Sequence, residues 1–274
     1  MNKTVVITGA GGVLCSAFAK HLASLGCRVA LIGRTAATLE AVKSEIESAG
    51  GTAGVYPADV LDKAALKAAH EKIKRDFGPC DVLINGAGGN DPRGTTSREE
   101  FTPGDEAEKE LATFFSLDEA GFDAVFDLNL KGTLLPTQEF AADMIGRAGC
   151  CILNVSSMNA FRPLTKIPAY SAAKAAVSNF TAWLAVHFAK SGIRVNAIAP
   201  GFFVTKQNRA LLFDDSGKPT ARTEKILRAT PMGRFGKPEE LLGTLEWLAD
   251  ETKSGFVTGV VVPVDGGFSA YSGV

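Results

Sequence analysis

The chain has 274 residues, a length that suits one large α/β domain, and its formal net charge is -1. A near-neutral balance with no basic stripe between aromatics argues against a nucleic-acid partner, and no apolar run approaches the roughly 18 residues of a membrane span. Five cysteines (Cys15, Cys27, Cys80, Cys150, Cys151) form no C-x-x-C pair and the three histidines lie far apart, so neither a disulfide framework nor a metal site is expected, and the setting should be reducing and cytoplasmic.

Short β-branched runs alternate with longer amphipathic stretches along the chain. Residues 4–8 (TVVIT) predict a strand, 15–25 a helix that Gly26 stops, and 28–32 (RVALI) a second strand. The apolar N-terminal run could pass for a signal peptide, but the polar, glycine-rich break at 8–12 suits a strand and turn better. A helix follows over 36–49, with Leu39, Val42 and Ile46 on one face, then a short strand over 54–57, a helix over 63–77 and a strand over 81–85. Further strands are expected at 151–155, 194–199 and 260–264. Continuous apolar strands between helices imply a parallel sheet covered on both faces, and right-handed crossovers make it a doubly wound, Rossmann-like α/β fold. Two stretches read as irregular, 89–117 and 202–234. Long irregular segments in a compact domain are often lids or binding loops, and the competing reading of each is a passive surface insertion.

The first strand runs into Thr8-Gly9-Ala10-Gly11-Gly12-Val13-Leu14-Cys15. A glycine-rich turn between strand and helix lets backbone approach a pyrophosphate, and the helix N-terminus offers N–H groups and a positive dipole end. The second strand ends at Gly33-Arg34, with no acid where NAD sites hold the ribose hydroxyls and a fork-shaped cation beside the gap. NADP(H) is therefore favoured over NAD(H). In the competing reading Arg34 is a solvated loop residue and NAD binds through backbone contacts.

Tyr170-Ser171-Ala172-Ala173-Lys174 places a phenol and an ammonium on one helical face. The cation should lower a phenol pKa of about 10 and make Tyr170 an acid–base for a hydroxyl or carbonyl. Ser157 closes the preceding strand thirteen residues earlier.

These motifs, in this order and over essentially the whole chain, resemble those of the short-chain dehydrogenase/reductase family. The resemblance implies a cofactor site that draws on Gly9, Gly11, Gly12, Val13, Leu14 and Arg34. It adds the pair Asp59-Val60, then Asn85, Ala87 and Gly88 of the turn after the fourth strand, and Pro200, Gly201, Phe203 and Thr205 of a P-G-x-x-x-T segment. It implies a catalytic tetrad of Asn129, Ser157, Tyr170 and Lys174. Tyr170 exchanges a proton with the substrate oxygen, Ser157 hydrogen-bonds that oxygen, Lys174 holds the nicotinamide ribose, and Asn129 holds a proton-relay water. A homotetramer is implied too. Two positions depart from the pattern: Cys15 stands where the loop's last glycine is usual, and Gly86 where a second Asn is usual.

The long span from Asn85 to Asn129, with Gly88-Gly89-Asn90-Asp91-Pro92, resembles the D-mannonate oxidoreductase (fructuronate reductase) subgroup. Asn90, Arg93, Ser157, Asn159, Arg162 and Asn208, with Lys206, Gln207 and Arg209 near the last, are candidate contacts to a sugar acid: polar groups suit hydroxyls and an Arg suits a carboxylate. Three readings follow: a sugar-acid or polyol oxidoreductase, a 3-oxoacyl or other general ketoreductase, and a non-catalytic dinucleotide sensor.

Overall fold

The computed structural model describes residues 1–205 and 209–273. The elements follow one another as β1 (Thr4–Thr8), α1 (Val13–Ser24), β2 (Arg28–Gly33), α2 (Ala36–Ser48), β3 (Thr52–Pro57), α3 (Lys63–Phe77) and β4 (Val82–Asn85). Then come α4 (Glu119–Phe126), α5 (Gly132–Phe140), β5 (Cys151–Val155), α6 (Pro168–Phe188) and β6 (Arg194–Pro200). Helices α7 (Arg209–Leu212), α8 (Ala221–Ala229), α9 (Leu242–Ala249) and α10 (Glu251–Ser254) lead to β7 (Val261–Val264).

All seven strands are parallel, in the order β3-β2-β1-β4-β5-β6-β7. Alternate strand residues separate into two cores. Val5, Ile7, Val29, Leu31, Val82 and Ile84 face α1, α2 and α9; Val6, Ala30, Ile32, Leu83, Ile152 and Val195 face α3, α5 and α6. The period of two along a strand and the helical spacing of Cys15, Phe18, Leu22 and of Leu66, Ala69, Ile73 are what bring these sets together. Strand order reverses between β1 and β4, so a crevice opens beyond their carboxyl ends, where doubly wound sheets bind ligands.

The strands expected from the sequence form, with ends shifted by two residues or fewer. The part of 202–234 from 209 onward is more ordered than its polarity suggests. Thr220 caps α8 by accepting the Thr223 N–H, and Thr223 and Ile226 are buried beneath it. The 89–117 segment has only short 3-10 turns, at Pro92–Gly94, Asp105–Ala107 and Phe114–Ser116.

Candidate active site

The phosphate turn is fixed by close backbone packing. Gly9 has φ +66°, and a β-carbon there would sit 2.9 Å from the Ala87 backbone. Thr8 Oγ1 accepts the N–H groups of Gly86 (3.1 Å) and Ala87 (3.2 Å), joining the end of β1 to the turn after β4. Gly12 enters α1 in extended conformation without a side-chain cap, so the N–H groups of Val13 and Leu14 face an open approach past the exposed Gly11. This is a cradle that a pyrophosphate fits.

The two departures from the family pattern explain each other. Cys15 is buried, and its Sγ lies 2.2 Å from where a β-carbon on residue 86 would stand. The thiol occupies the room a side chain at 86 needs, and the glycine at 86 makes room for the thiol. Burial holds Cys15 up at about 12, which makes it packing rather than a nucleophile.

The other expected cofactor residues divide. Arg34 is exposed at the end of β2 and makes no hydrogen bond or ion pair among the described residues. Asp59 accepts the Leu61 N–H at 2.9 Å, and Val60 is buried against Gly132. Pro200 ends β6, Gly201 sits where a β-carbon would meet Asp265 at 2.5 Å, and Thr205 is half-buried. Two side chains point away from the crevice. Asn85 turns inward, donating from Nδ2 to Thr137 Oγ1 and Asn154 Oδ1, both at 2.9 Å. Phe203 is buried in the core, its ring against Gly236. Their positions in the motif are as expected, but a buried amide seeks partners and a buried ring seeks apolar neighbours, so both serve the scaffold.

Asn129, Ser157, Tyr170 and Lys174 meet at the carboxyl ends of β4 and β5. Asn129 lies in a π-helical turn (Asp127–Lys131) between α4 and α5, a distortion common at functional sites. Its Nδ2 donates to the Val125 and Gly89 carbonyls, each at 2.7 Å, and its Oδ1 accepts the Gly89 N–H at 3.2 Å. Lys174 Nζ donates to the Val155 carbonyl (2.8 Å) and stands 5.7 Å from the Tyr170 ring centre. A β-carbon on Gly88 would come within 2.7 Å of Asn129 Oδ1 and 3.0 Å of Lys174 Nζ, so the glycine keeps this junction open.

Burial lowers the Lys174 ammonium to about 8. Burial also pushes the Tyr170 phenol up, and the Ser157 hydroxyl beside it pulls it back. The expected net lowering of Tyr170 by Lys174 is thus corrected: in this geometry desolvation dominates.

The substrate candidates are scattered. Asn90 donates to Thr95 Oγ1 at 3.0 Å. Arg93 is closed on Asp91 through Nε (3.0 Å) and Nη2 (2.8 Å), and Arg162 Nε donates to the Ser269 carbonyl at 2.9 Å. Arg93 keeps Nη1, and exposed Arg162 keeps both Nη1 and Nη2, without a hydrogen bond among the described residues. Asn159 differs. It is 3% exposed, its backbone N–H donates to Ser157 Oγ at 3.2 Å, and its Oδ1 has no partner. Asn208, with Lys206 and Gln207, lies outside the described residues. The buried Ser171 Oγ and Asn85 Oδ1 are also without a hydrogen-bond partner among the described residues. A cavity of about 400 Å³ elsewhere, lined by Phe202, Thr230, Met232, Arg234 and Asp265 among others, contains none of the four central residues.

A doubly wound parallel sheet with an open glycine turn at its switch point defines a dinucleotide-binding oxidoreductase of the Rossmann class. The short chain dehydrogenase family matches residues 3–215, and the chain belongs to that family, whose members act on CH–OH groups. The chain is similar to an uncharacterized oxidoreductase of Haemophilus influenzae, 59% identical over 273 residues, covering 100% of this chain and 95% of the relative. It is 32% identical over 264 residues to the gluconate 5-dehydrogenase of Gluconobacter oxydans, covering 96% of this chain and 93% of that enzyme. A solved Haemophilus influenza structure with bound NAD, provisionally described as a D-mannonate oxidoreductase, matches at TM-score 0.95 and 58% identity, covering 100% of this chain and 97% of the other.

Proposed function

We propose that the protein interconverts a secondary alcohol and a ketone of a sugar acid, of the D-mannonate/D-fructuronate type. The observation that carries this reading is the convergence of Asn129, Ser157, Tyr170 and Lys174 beside the glycine turn, in a chain 58% identical to the provisionally described D-mannonate oxidoreductase.

The bound nicotinamide supplies or takes the hydride. Tyr170 gives its proton to the substrate oxygen in reduction and removes it in oxidation, while Ser157 hydrogen-bonds that oxygen and fixes the carbonyl. Lys174 holds the nicotinamide ribose. In oxidation Tyr170 acts as the phenolate and takes up the substrate proton, with the Lys174 cation at hand to favour the charged form. Asn129, anchored by three hydrogen bonds to Gly89 and Val125, holds a relay water between Lys174 and solvent. The unpartnered Oδ1 of Asn159 accepts from a substrate hydroxyl next to Ser157.

Arg34 supports NADP(H) as the favoured cofactor, through paired hydrogen bonds to a 2′-phosphate; NAD(H) is the alternative, and the similar Haemophilus structure holds NAD. In this reading the 89–117 segment and the described part of 202–234 wall the substrate side of a single domain. A cytoplasmic homotetramer completes the reading, supported by the exposed Trp183 and Val186 on α6 and by Phe256 and Val260 before edge strand β7.

Initial rates with D-fructuronate and NADPH or NADH, against other keto-sugar acids and acetoacetyl thioesters, test it. Turnover of fructuronate is the expected result, and the coenzyme ratio reads Arg34. Turnover confined to thioesters sinks the sugar-acid reading and leaves the tyrosine chemistry standing.

A further inference from the structure

Ser157 stands just past the end of β5, Tyr170 and Lys174 lie on α6, and Asn129 lies in the turn that leads into α5. Three separate elements must therefore keep their places for the four side chains to meet. Apolar surfaces alone leave packed elements room to slide, whereas hydrogen bonds are directional and fix register. The face of the sheet toward α5 and α6 is apolar at Leu83 and Ile152, yet at the next inward position of each strand it turns polar, at Asn85 and Asn154. These two asparagines are register partners on β4 and β5, and both are buried.

From this pair a line of hydrogen bonds runs to either side. Toward α5, Asn85 Nδ2 donates to Thr137 Oγ1 at 2.9 Å, Thr137 Oγ1 to the Thr133 carbonyl at 2.7 Å, and Thr133 Oγ1 to the Asn129 carbonyl at 2.8 Å. Toward α6, Asn85 Nδ2 donates to Asn154 Oδ1 at 2.9 Å, Asn154 Nδ2 to Thr181 Oγ1 at 2.9 Å, and Thr181 Oγ1 to the Val177 carbonyl at 2.8 Å. Ser156, on the same side of the chain as Asn154, repeats the link to α6. Its Oγ lies 2.7 Å from Ser178 Oγ and donates to the Lys174 carbonyl at 3.3 Å. The two-residue step along β5 thus meets a single turn of α6, Ser178 to Thr181. Thr133, Thr137, Asn154, Ser156 and Thr181 are each 3% exposed or less, so water does not compete for these bonds.

We propose that this buried line of hydrogen bonds is a positioning device for the reaction, with Thr137 and Thr181 as its two end supports; this rests on the reading of Asn129, Ser157, Tyr170 and Lys174 above. It holds the turn of Asn129 and the strand end of Ser157 in register with the helix that carries Tyr170 and Lys174. Thr137 and Thr181 are positioning residues: each acts through the side chains it keeps in place.

Thr137→Val and Thr181→Val each remove one hydroxyl at nearly constant shape, and Thr137→Ser and Thr181→Ser keep it. The assay uses whichever ketone of the panel above the parent reduces fastest, so it stands whether or not that ketone is a sugar acid. Misplacing reacting groups by about 1 Å costs about 10²-fold in rate, so each valine variant should lose roughly tenfold or more in kcat, with KM and NADH affinity little changed. Each serine variant should recover most of the rate. Because the two threonines support one line of bonds, the double valine variant should lose less than the product of the single losses. A parental kcat in folded valine variants, serine variants as slow as the valine ones, or losses that simply multiply would overturn the proposal. Should a valine variant not fold, Ser156→Ala makes the smaller cut at the second link to α6, and the same loss of kcat at constant KM is required of it. A second arm needs no turnover: crystal structures of the parent and the variants, in which the Ser157–Tyr170 and Asn129–Lys174 separations should differ. Separations that match the parent's overturn the positioning role. A parent that reduces no ketone sinks the reading of the four residues as catalytic, and the crystallographic arm then decides the positioning role alone.

Discussion

The two walls of the crevice are held by different forces. On the cofactor side, β1, β4 and their turns lock through contacts too tight for a single added methyl: Gly9 on Ala87, Gly86 on Cys15 and Thr8, Gly88 on Asn129 and Lys174. On the substrate side, the start of the 89–117 segment packs closely, a β-carbon on Gly121 meeting Arg93 at 2.5 Å, but beyond it the segment is joined to the rest of the fold by polar contacts. These are Thr96 with the Lys166 carbonyl and Glu99 with Lys225, while Arg98 pairs with Asp105 inside the segment. Close packing transmits strain and tolerates little change, whereas exposed ion pairs are weak and replaceable. A binding site for an invariant cofactor and a wall that must fit a particular substrate call for those opposite properties.

The sharpest way to break this comparison is to remove chemistry without disturbing either wall. Tyr170→Phe should lower kcat by roughly 10²–10⁴-fold, the usual worth of a positioned acid–base, while cofactor affinity measured by fluorescence titration stays near that of the parent. Retained turnover would remove Tyr170 from the reaction; retained function without any turnover would favour the sensor reading.

Next in size is the cofactor wall itself. Gly86→Asn drives a side chain into the Cys15 thiol, and overpacking of this kind costs about 1–3 kcal/mol. The thermal midpoint and the cofactor affinity should both fall. Cys15→Gly in the same chain should recover part of the loss, since the Thr8 carbonyl, 2.9 Å from the same β-carbon, stays in place. A double-mutant cycle on melting temperatures measures the coupling, and strict additivity would mean that the two positions are independent.

Much of the cofactor wall was legible in the sequence because its signals are local. The β-branched run Thr4–Thr8, the glycines at 9–12 and the face of Leu39, Val42 and Ile46 each lie within one element. What escaped depends on direction and on distance along the chain. A motif position says that Asn85 and Phe203 belong to the crevice turns, but not that Asn85 will seek Thr137 and Asn154 or that Phe203 will sink beneath Gly236. Cys15 and Gly86 could be noted as two oddities; only their contact reveals them as one. Helix α8 was hidden because two buried residues, Thr223 and Ile226, make too thin an apolar stripe. Nothing in the sequence marks the left-handed backbone of Lys166 (φ 73°), since lysine is not a residue that favours it.

The buried ammonium gives a further, pH-dependent test of the cofactor side. Lys174 has a folded pKa of about 8 against 10.5 for the free side chain. Between those values the unfolded chain binds the extra proton, so the stability of the parent rises with pH across that window, and the cost of burying the charge is fully present below it. Lys174→Met removes that cost and loses the hydrogen bond to the Val155 carbonyl, for a net gain of roughly 1–2 kcal/mol at pH 7 with turnover lost. Paired melts should show the variant's advantage shrinking as pH climbs above 8. An advantage independent of pH would assign it to packing instead.

The smallest expected effect lies on the substrate wall. Glu99→Gln breaks the pair with Lys225, whose side chains are 41% and 66% exposed, so global stability should barely change. The local consequence is larger than the global one, because this is the described ion pair that joins the 89–117 segment to α8. Cleavage within 89–117 by a nonspecific protease should quicken while the melting temperature barely moves, and high salt should produce the same quickening in the parent. A large fall in melting temperature would show that the segment is welded to the fold as firmly as the glycine turns are, and the contrast between the two walls would be gone.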